Sequence, residues 1–286
     1  MRPANIITAV ADVLAGIAIS GYLVNKTSYA GNLFPILLLI ISTIGLYGGG
    51  VVFNDVFDAE LDKTERPERP IPKGVISLKE ASYLGIFLLF GGIIAAAMVN
   101  PLSGSIAFLI AVAALAYDKW SKHHALSGPL NMGLCRGLNL LLGISVLTTS
   151  VASWWFLAIV PVIYIAAITM VSRGEVHGGS KNILYAAAFL YATVIGGILL
   201  LSAQRNMLWE AVVFLVPFSG MIFSALIRAI RLPTPKNIGK AVKAGVIALI
   251  LMNASWAAAF GVISLALLIL VLFPLSLWLA KIFAVT

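Results

Sequence analysis

The chain has 286 residues, of which 61% are hydrophobic and only 10% charged, with a mean hydropathy of +1.04. That balance excludes an ordinary water-soluble domain. A net charge of +8 is also found in nucleic-acid-binding proteins, but here the basic residues sit in short loops between apolar runs, as the positive-inside rule requires, so no nucleic-acid partner is expected.

A membrane span needs roughly 20 apolar residues. Apolar windows fall at 5–24, 32–53, 81–99, 102–117, 128–149, 153–171, 182–203, 208–228, 238–260 and 262–284. They predict an all-α integral membrane protein, one polytopic domain over residues 1–286, with about nine transmembrane helices and a tenth at the C-terminus. The 102–117 window is short and only Gly261 separates the last two, so nine spans plus one re-entrant or tilted segment is the alternative count. The first window follows Met1, Arg2 and Pro3 directly and is long enough to stay as a span, so no cleaved signal is expected. The lone cysteine, Cys135, lies inside an apolar run, which excludes an internal disulfide and a thiolate metal cluster.

Threading these windows with the N-terminus inside puts all of the 19 Lys and Arg except Lys26, Arg205 and Arg136 on one face. All the acidic residues except Asp12 and Glu210 share that face. The asymmetry predicts a multi-pass protein of the plasma (inner) membrane, with the loops beginning at Asn54, Asp118, Ser172 and Arg228 on the cytoplasmic side. Carboxylates and cations gathered at one mouth mark a candidate site.

The second window runs into Asn54, Asp55, Asp58 and Asp62. On a helix the three aspartates lie at i, i+3 and i+7, so their carboxylates share one face at the membrane surface. Like charges stacked in this way repel unless a cation sits between them. Mg²⁺ takes carboxylate and water oxygens and bridges to phosphates, which makes a diphosphate the natural guest. Arg66, Arg69 and Lys73 follow, placed to hold that anion, on a loop stiffened by Pro67, Pro70 and Pro72. Taken alone, these basic residues also read as a solvated loop.

This segment resembles the first aspartate-rich motif of the UbiA superfamily of intramembrane prenyltransferases, Asn-Asp-x-x-Asp-x-x-x-Asp followed by an Arg-Pro-rich loop. Asn54, Asp55, Asp58 and Asp62 match it position by position, and Arg66, Arg69, Pro70 and Gly74 fit the sequel. Tyr117 and Lys122 close the fourth window as family members do near the diphosphate. The stretches 172–179 and 131–139 resemble a divergent EboC-type UbiA-like branch. The resemblance implies helices around a lipid-accessible cavity, capped by loops 54–80, 118–128 and 172–182. It implies Mg²⁺-dependent transfer of an isoprenyl group from a prenyl diphosphate to an aromatic, hydroxyl or polar-lipid acceptor. Asp55, Asp58, Asp62, Arg66, Arg69 and Lys73 would be catalytic, the three aspartates as metal ligands. Asn54, Tyr117, Lys122, Arg136, Asn139, Arg173 and Lys181 would bind substrate.

The family's second aspartate-rich motif has no counterpart, because residues 169–181 contain no aspartate. Glu175 is the candidate metal ligand there, with Arg173 or Lys181 standing in for the charge of a missing metal. His177 is an unsuitable ligand for Mg²⁺ and reads as a hydrogen-bonding loop residue. Loss of the second metal site leaves an alternative, a non-catalytic protein that binds prenyl lipids or assists their transport. Arg136, in the fifth window with Asn139 three residues on, reads either as a cation lining the cavity or as a structural partner of Asp12. His123 and His124 read as surface-loop residues, and Trp154 and Trp155 as interface anchors.

Overall fold

A bilayer core offers the backbone no hydrogen-bonding solvent, so each apolar run satisfies its own N–H and C=O groups as helix. The computed structural model describes residues 3–24, 33–124, 127–175 and 178–282, and among them there is no strand. The helices are α1 (Pro3–Ser20), α2 (Phe34–Phe57), the short α3 (Ala59–Glu65), α4 (Leu78–Ala97), α5 (Pro101–Lys119) and α6 (Ser127–Ile144). They continue with α7 (Thr148–Trp154), α8 (Ile159–Ser172), α9 (Lys181–Gln204), α10 (Leu208–Arg231), α11 (Pro235–Ala259) and α12 (Ile263–Ile282). Among the described residues seven segments are long and apolar enough to cross a membrane, and Asn5–Ser20 and Ile263–Leu279 add shorter apolar helices.

The short 102–117 window is not the irregular segment. Asn100 caps α5 by accepting from the Ser103 N–H, Pro101 fills the first turn, and the helix runs on through Asp118 to 19 residues. The irregularity lies at 144–159. There α6 stops, and α7, a 3₁₀ turn over Trp155–Ala158 and α8 make one composite apolar segment. Trp155 is exposed, as an interface anchor should be, but Trp154 packs edge-on against Phe260 with ring centroids 4.9 Å apart. At the far end Gly261, with φ of 79°, makes the turn that separates α12 from α11.

α1 and α11 form the centre of the bundle, with α1 packed on α2, α6, α11 and α12. Ala11, Val13, Ala15 and Ile17 of α1, and Ile250, Met252 and Ala254 of α11, are inaccessible. Lipid tails are as apolar as leucine, so helices associate in a membrane through close packing rather than through exclusion of water. α1 and α6 achieve it with glycine: a Cβ on Gly16 would lie 2.3 Å from the Leu140 carbonyl oxygen, and one on Gly143 2.2 Å from that of Val13. The outward faces carry exposed Phe87, Phe90, Trp209 and Val213, an aggregation hazard in water and a proper surface in lipid.

Candidate active site

α2 presents Thr43, Tyr47, Gly50 and Asn54 to one side, spaced four, three and four residues apart, and this face lines a cavity of about 440 Å³. Most of the remaining wall comes from α5, α6, α8 and α11, and is apolar through Ile110, Ile165, Ile168, Val242 and Leu249, with Asn5 of α1 beside them. The polar residues concentrate at two levels, a mouth and a floor.

The mouth is built at the corner between α2 and α3. The Asp58 N–H donates to the Asn54 carbonyl at 3.0 Å and the Asp62 N–H to that of Asp58 at 2.8 Å, so helical hydrogen bonding passes through the corner. Asp55 and Asp62 consequently come to one guanidinium, where Arg69 Nη1 donates to Asp62 Oδ2 at 2.6 Å and to Asp55 Oδ1 at 3.2 Å. Asp58 instead pairs with Lys122. The carboxylates that were expected to share a metal are thus balanced here by the chain's own cations. Among the described residues no three His, Cys, Asp or Glu groups gather as a metal-holding cluster.

Both cations are delivered by local structure. Residues 66–74 coil back over the corner, with the Arg69 N–H on the Arg66 carbonyl at 3.0 Å and the Lys73 N–H on that of Arg69 at 2.9 Å; Gly74, at φ of 76°, closes the turn. Lys122 sits in a 3₁₀ turn, Ser121–His123, that Asn131 Nδ2 pins to α6 by donating to Ser121 Oγ at 3.1 Å. His124 is exposed, and the His123 side chain lies outside the described residues.

Asn54, Asp58, Arg66, Arg69, Tyr117, Arg136, Asn139 and Glu175 line the cavity, and Asp55, Asp62 and Lys122 join it through their ion pairs. Lys73, Arg173 and Lys181 are exposed and outside the lining. Sequence reasoning passed over Asp118, which is 5% exposed, lines the mouth and accepts from Asn54 Nδ2 at 3.0 Å. The available signal was its place next to Tyr117 at the end of α5.

Across the mouth, the end of α8 contributes Thr169, Ser172 and Glu175 at successive helical turns. The Glu175 N–H donates to the Ser172 carbonyl at 3.0 Å, and partial burial pushes its carboxyl above the ordinary value. His177 lies outside the described residues.

The floor is a buried network. Arg136 Nη1 donates to Asp12 Oδ2 at 2.7 Å and Nη2 donates to Thr8 Oγ1. Asn253 Nδ2 donates to Asp12 Oδ1 at 2.7 Å, Asn139 Nδ2 to the Ala9 carbonyl at 2.8 Å, and Thr43 Oγ1 to Asn139 Oδ1 at 2.6 Å. Arg136 thus pairs with Asp12 and also lines the cavity. The network ties α1, α2, α6 and α11 together, and breaking a buried ion pair by removing one partner costs about 3–5 kcal/mol.

The donor chemistry of the mouth fits a hard divalent cation. Asp55, Asp58, Asp62, Asp118 and Glu175 all offer carboxylate oxygens, the ligands Mg²⁺ prefers. Arg66, Arg69 and Lys122 add the charge that an oxyanion leaving group requires.

Comparison with known proteins finds relatives of this chain in sequence and in fold. The chain is 36% identical over 145 residues to the digeranylgeranylglyceryl phosphate synthase of Methanococcoides burtonii, covering 50% of this chain and 52% of that one. It is 31% identical over 183 residues to the synthase of the same name from Ignicoccus hospitalis, covering 62% and 56%. The chain spans about half the length of the curated relatives it matches. Among solved structures, one concerned with digeranylgeranylglyceryl phosphate synthase in membranes superposes with a TM-score of 0.66 at 22% identity, covering 91% of this chain and 95% of that one. A UbiA homolog from Aeropyrum pernix K1 superposes with a TM-score of 0.60 at 17% identity, covering 98% and 99%. These two likenesses establish the fold, an all-helical membrane bundle. The model of the UbiA prenyltransferase family matches residues 13–247, and the chain belongs to that family.

Proposed function

We propose that this protein transfers an isoprenyl group, within the membrane, from a prenyl diphosphate to an acceptor hydroxyl or aromatic carbon. The observation that carries the reading is an apolar intramembrane cavity whose mouth gathers Asn54, Asp58, Asp118, Arg66 and Arg69. A diphosphate head suits the mouth and a hydrocarbon tail suits the walls. Asp55, Asp58 and Asp62, with Asp118 and Glu175 beside them, would hold Mg²⁺, which when bound neutralises diphosphate charge and so improves the leaving group.

The chain's own residues do the rest. Arg66, Arg69 and Lys122 hold the phosphate oxygens and favour charge that builds on them as the bond to the prenyl carbon breaks. The electron pair of that bond leaves with the diphosphate. The acceptor's oxygen or carbon forms the new bond and gives up a proton. Ile110, Ile165, Ile168 and Leu249 exclude water from the allylic cation, which hydrolysis would otherwise consume. By the charge asymmetry of the loops the mouth faces the cytoplasm. The name shared by the relatives makes a glyceryl phosphate carrying one geranylgeranyl chain the first acceptor to assay.

A second reading, prenyl-lipid binding or transport without turnover, draws on the end of α8, where Glu175 is the single carboxylate over residues 169–181. Purified protein in lipid, given radiolabelled geranyl, farnesyl or geranylgeranyl diphosphate, Mg²⁺ and a lipid extract, separates the two. Transfer predicts Mg²⁺-dependent diphosphate release and a labelled product. Tight binding with neither, in extracts that support a control enzyme, overturns transfer in favour of the second reading.

A further inference from the structure

The floor of the cavity is a polar site that departure of the diphosphate does not use. Arg136 is 7% exposed and lines the same cavity as the mouth residues. Thr43, which joins the floor through Asn139, precedes Asn54 on α2 by about 16 Å of helix, at 1.5 Å per residue. One diphosphate cannot occupy both levels.

Three features define what the floor can take. The prenyl donor's tail is pure hydrocarbon and has no use for hydrogen-bond donors. The Asp12–Arg136 pair cancels its own charge, so an anion gains far less there than at Arg66 and Arg69. A guanidinium has five N–H groups, and the bonds to Asp12 and Thr8 engage two of them. It keeps donors while lining the cavity beside Asn5, Thr43 and Asn139, with the Tyr47 ring centroid 5.8 Å away. Buried donors of this kind call for an oxygen.

We infer that Arg136, held by Asp12 and Thr8 and flanked by Asn139, is a specificity-determining residue that donates to a neutral oxygen of the acceptor, a carbonyl, ether or hydroxyl remote from the atom attacking the prenyl carbon. The inference rests on the prenyl-transfer reading, which makes the other occupant a hydrocarbon chain. It separates this chain's acceptor from a glyceryl phosphate lipid whose oxygens all lie near the reacting hydroxyl. Such a molecule satisfies the mouth and leaves the floor facing hydrocarbon.

The test uses three fluorescent probes of one shape: 2-naphthol, with a neutral hydroxyl; naphthalene, with no oxygen; and 2-naphthoate, an anion at neutral pH. Binding to the full protein in nanodiscs is measured after subtracting partition into empty discs. The wild type should bind 2-naphthol at least tenfold more tightly than either of the others. The paired variant Asp12→Asn with Arg136→Met, which keeps the floor neutral and removes its guanidinium donors, should bring that preference to within twofold. Its Mg²⁺-dependent binding of labelled geranylgeranyl diphosphate should stay within twofold of wild type. Wild-type preference for naphthoate or naphthalene overturns the inference, and needs no variant to fold. So does retained naphthol preference in the paired variant, or a tenfold loss of donor binding in a variant whose thermal unfolding matches wild type. A wild type that binds none of geranyl, farnesyl and geranylgeranyl diphosphate sinks the prenyl-transfer reading instead, while the naphthol pattern still reports on the floor.

Discussion

The two walls of the cavity mouth solve opposite electrostatic problems. At the α2–α3 corner three aspartates crowd together, and each is matched by a cation, Asp55 and Asp62 by Arg69 and Asp58 by Lys122. At the end of α8 one carboxylate stands alone, and Glu175 makes no ion pair among the described residues. Where charge is dense, ion pairs set the geometry. Where it is sparse, burial dominates, and the Glu175 carboxyl is pushed upward. The first wall concentrates charge of both signs, and the second contributes a single carboxylate raised by burial.

The largest effect that should break this contrast is loss of an aspartate from the dense wall. Asp58→Ala or Asp55→Ala is expected to lower Mg²⁺-dependent diphosphate release by at least about 100-fold, the scale on which removing one electrostatic partner of a leaving group acts. Chelation of divalent ions should do the same to the wild type. Retained turnover in either variant would remove the corner from the chemistry.

Next come the matching cations. Lys122→Gln and Arg69→Gln are each expected to slow release by about 10–100-fold, and they should differ in stability. Asp62 is nearly inaccessible, with a side chain 4% exposed, so Arg69→Gln strands a buried carboxylate at a cost of about 3–5 kcal/mol. Asp58 is 21% exposed at its side chain and recovers water when Lys122 goes. Thermal unfolding in detergent should therefore separate two variants that look alike in rate. Equal melting temperatures would mean that the Arg69 bridge does not bear on the fold.

Glu175→Gln should cost less, a few-fold in rate. Its signature is in pH. The folded value lies above the unfolded one, so between them the folded state binds more protons, and stability falls as pH rises through that window, upward from the ordinary carboxylate range. Glu175→Gln has no proton to lose there and should become more stable relative to wild type as pH climbs. A constant difference across the window would show that burial does not govern this carboxylate.

The dense wall was legible in the sequence and the sparse one only in outline. Asn54 to Asp62 announces itself because the spacing of like charges is costly without a function, whereas Thr43 and Tyr47, which continue the same helical stripe into the cavity, were not singled out. Asp118 was hidden by its position at a helix end, where one acidic residue looks like ordinary solvation. The partnership of Arg136 with Asp12 was readable as a chemical need, but Asn253, 241 residues from Asp12, was not, and Thr8, one helical turn before Asp12, carried no charge to mark it. The windows 128–149 and 153–171 part at 150–152, but that α6 stops at Ile144 and that α7 and a 3₁₀ turn fill 148–158 was not readable, because hydropathy records apolar character without helical continuity. Lys73, Arg173 and Lys181, chosen for proximity in sequence to a motif, lie exposed and outside the cavity lining.

Those three residues supply the smallest expected effect and sharpen the contrast most. Each is exposed and outside the cavity lining, so water screens its charge from a ligand at the mouth, and exposed charges interact by roughly 0–1 kcal/mol. Lys73→Gln, Arg173→Gln and Lys181→Gln should each change diphosphate release by no more than about threefold at physiological salt, and less at higher salt, because the Debye length is only about 8 Å at 0.15 M and shortens as salt is added. Arg66→Gln provides the control, because Arg66 is also exposed yet lines the cavity and should lose about tenfold or more. If Arg173→Gln or Lys181→Gln matched Arg66→Gln instead, the loop after α8 would have to close over the bound diphosphate and bring the missing charge with it. The sparse wall would then be sparse only until substrate arrives.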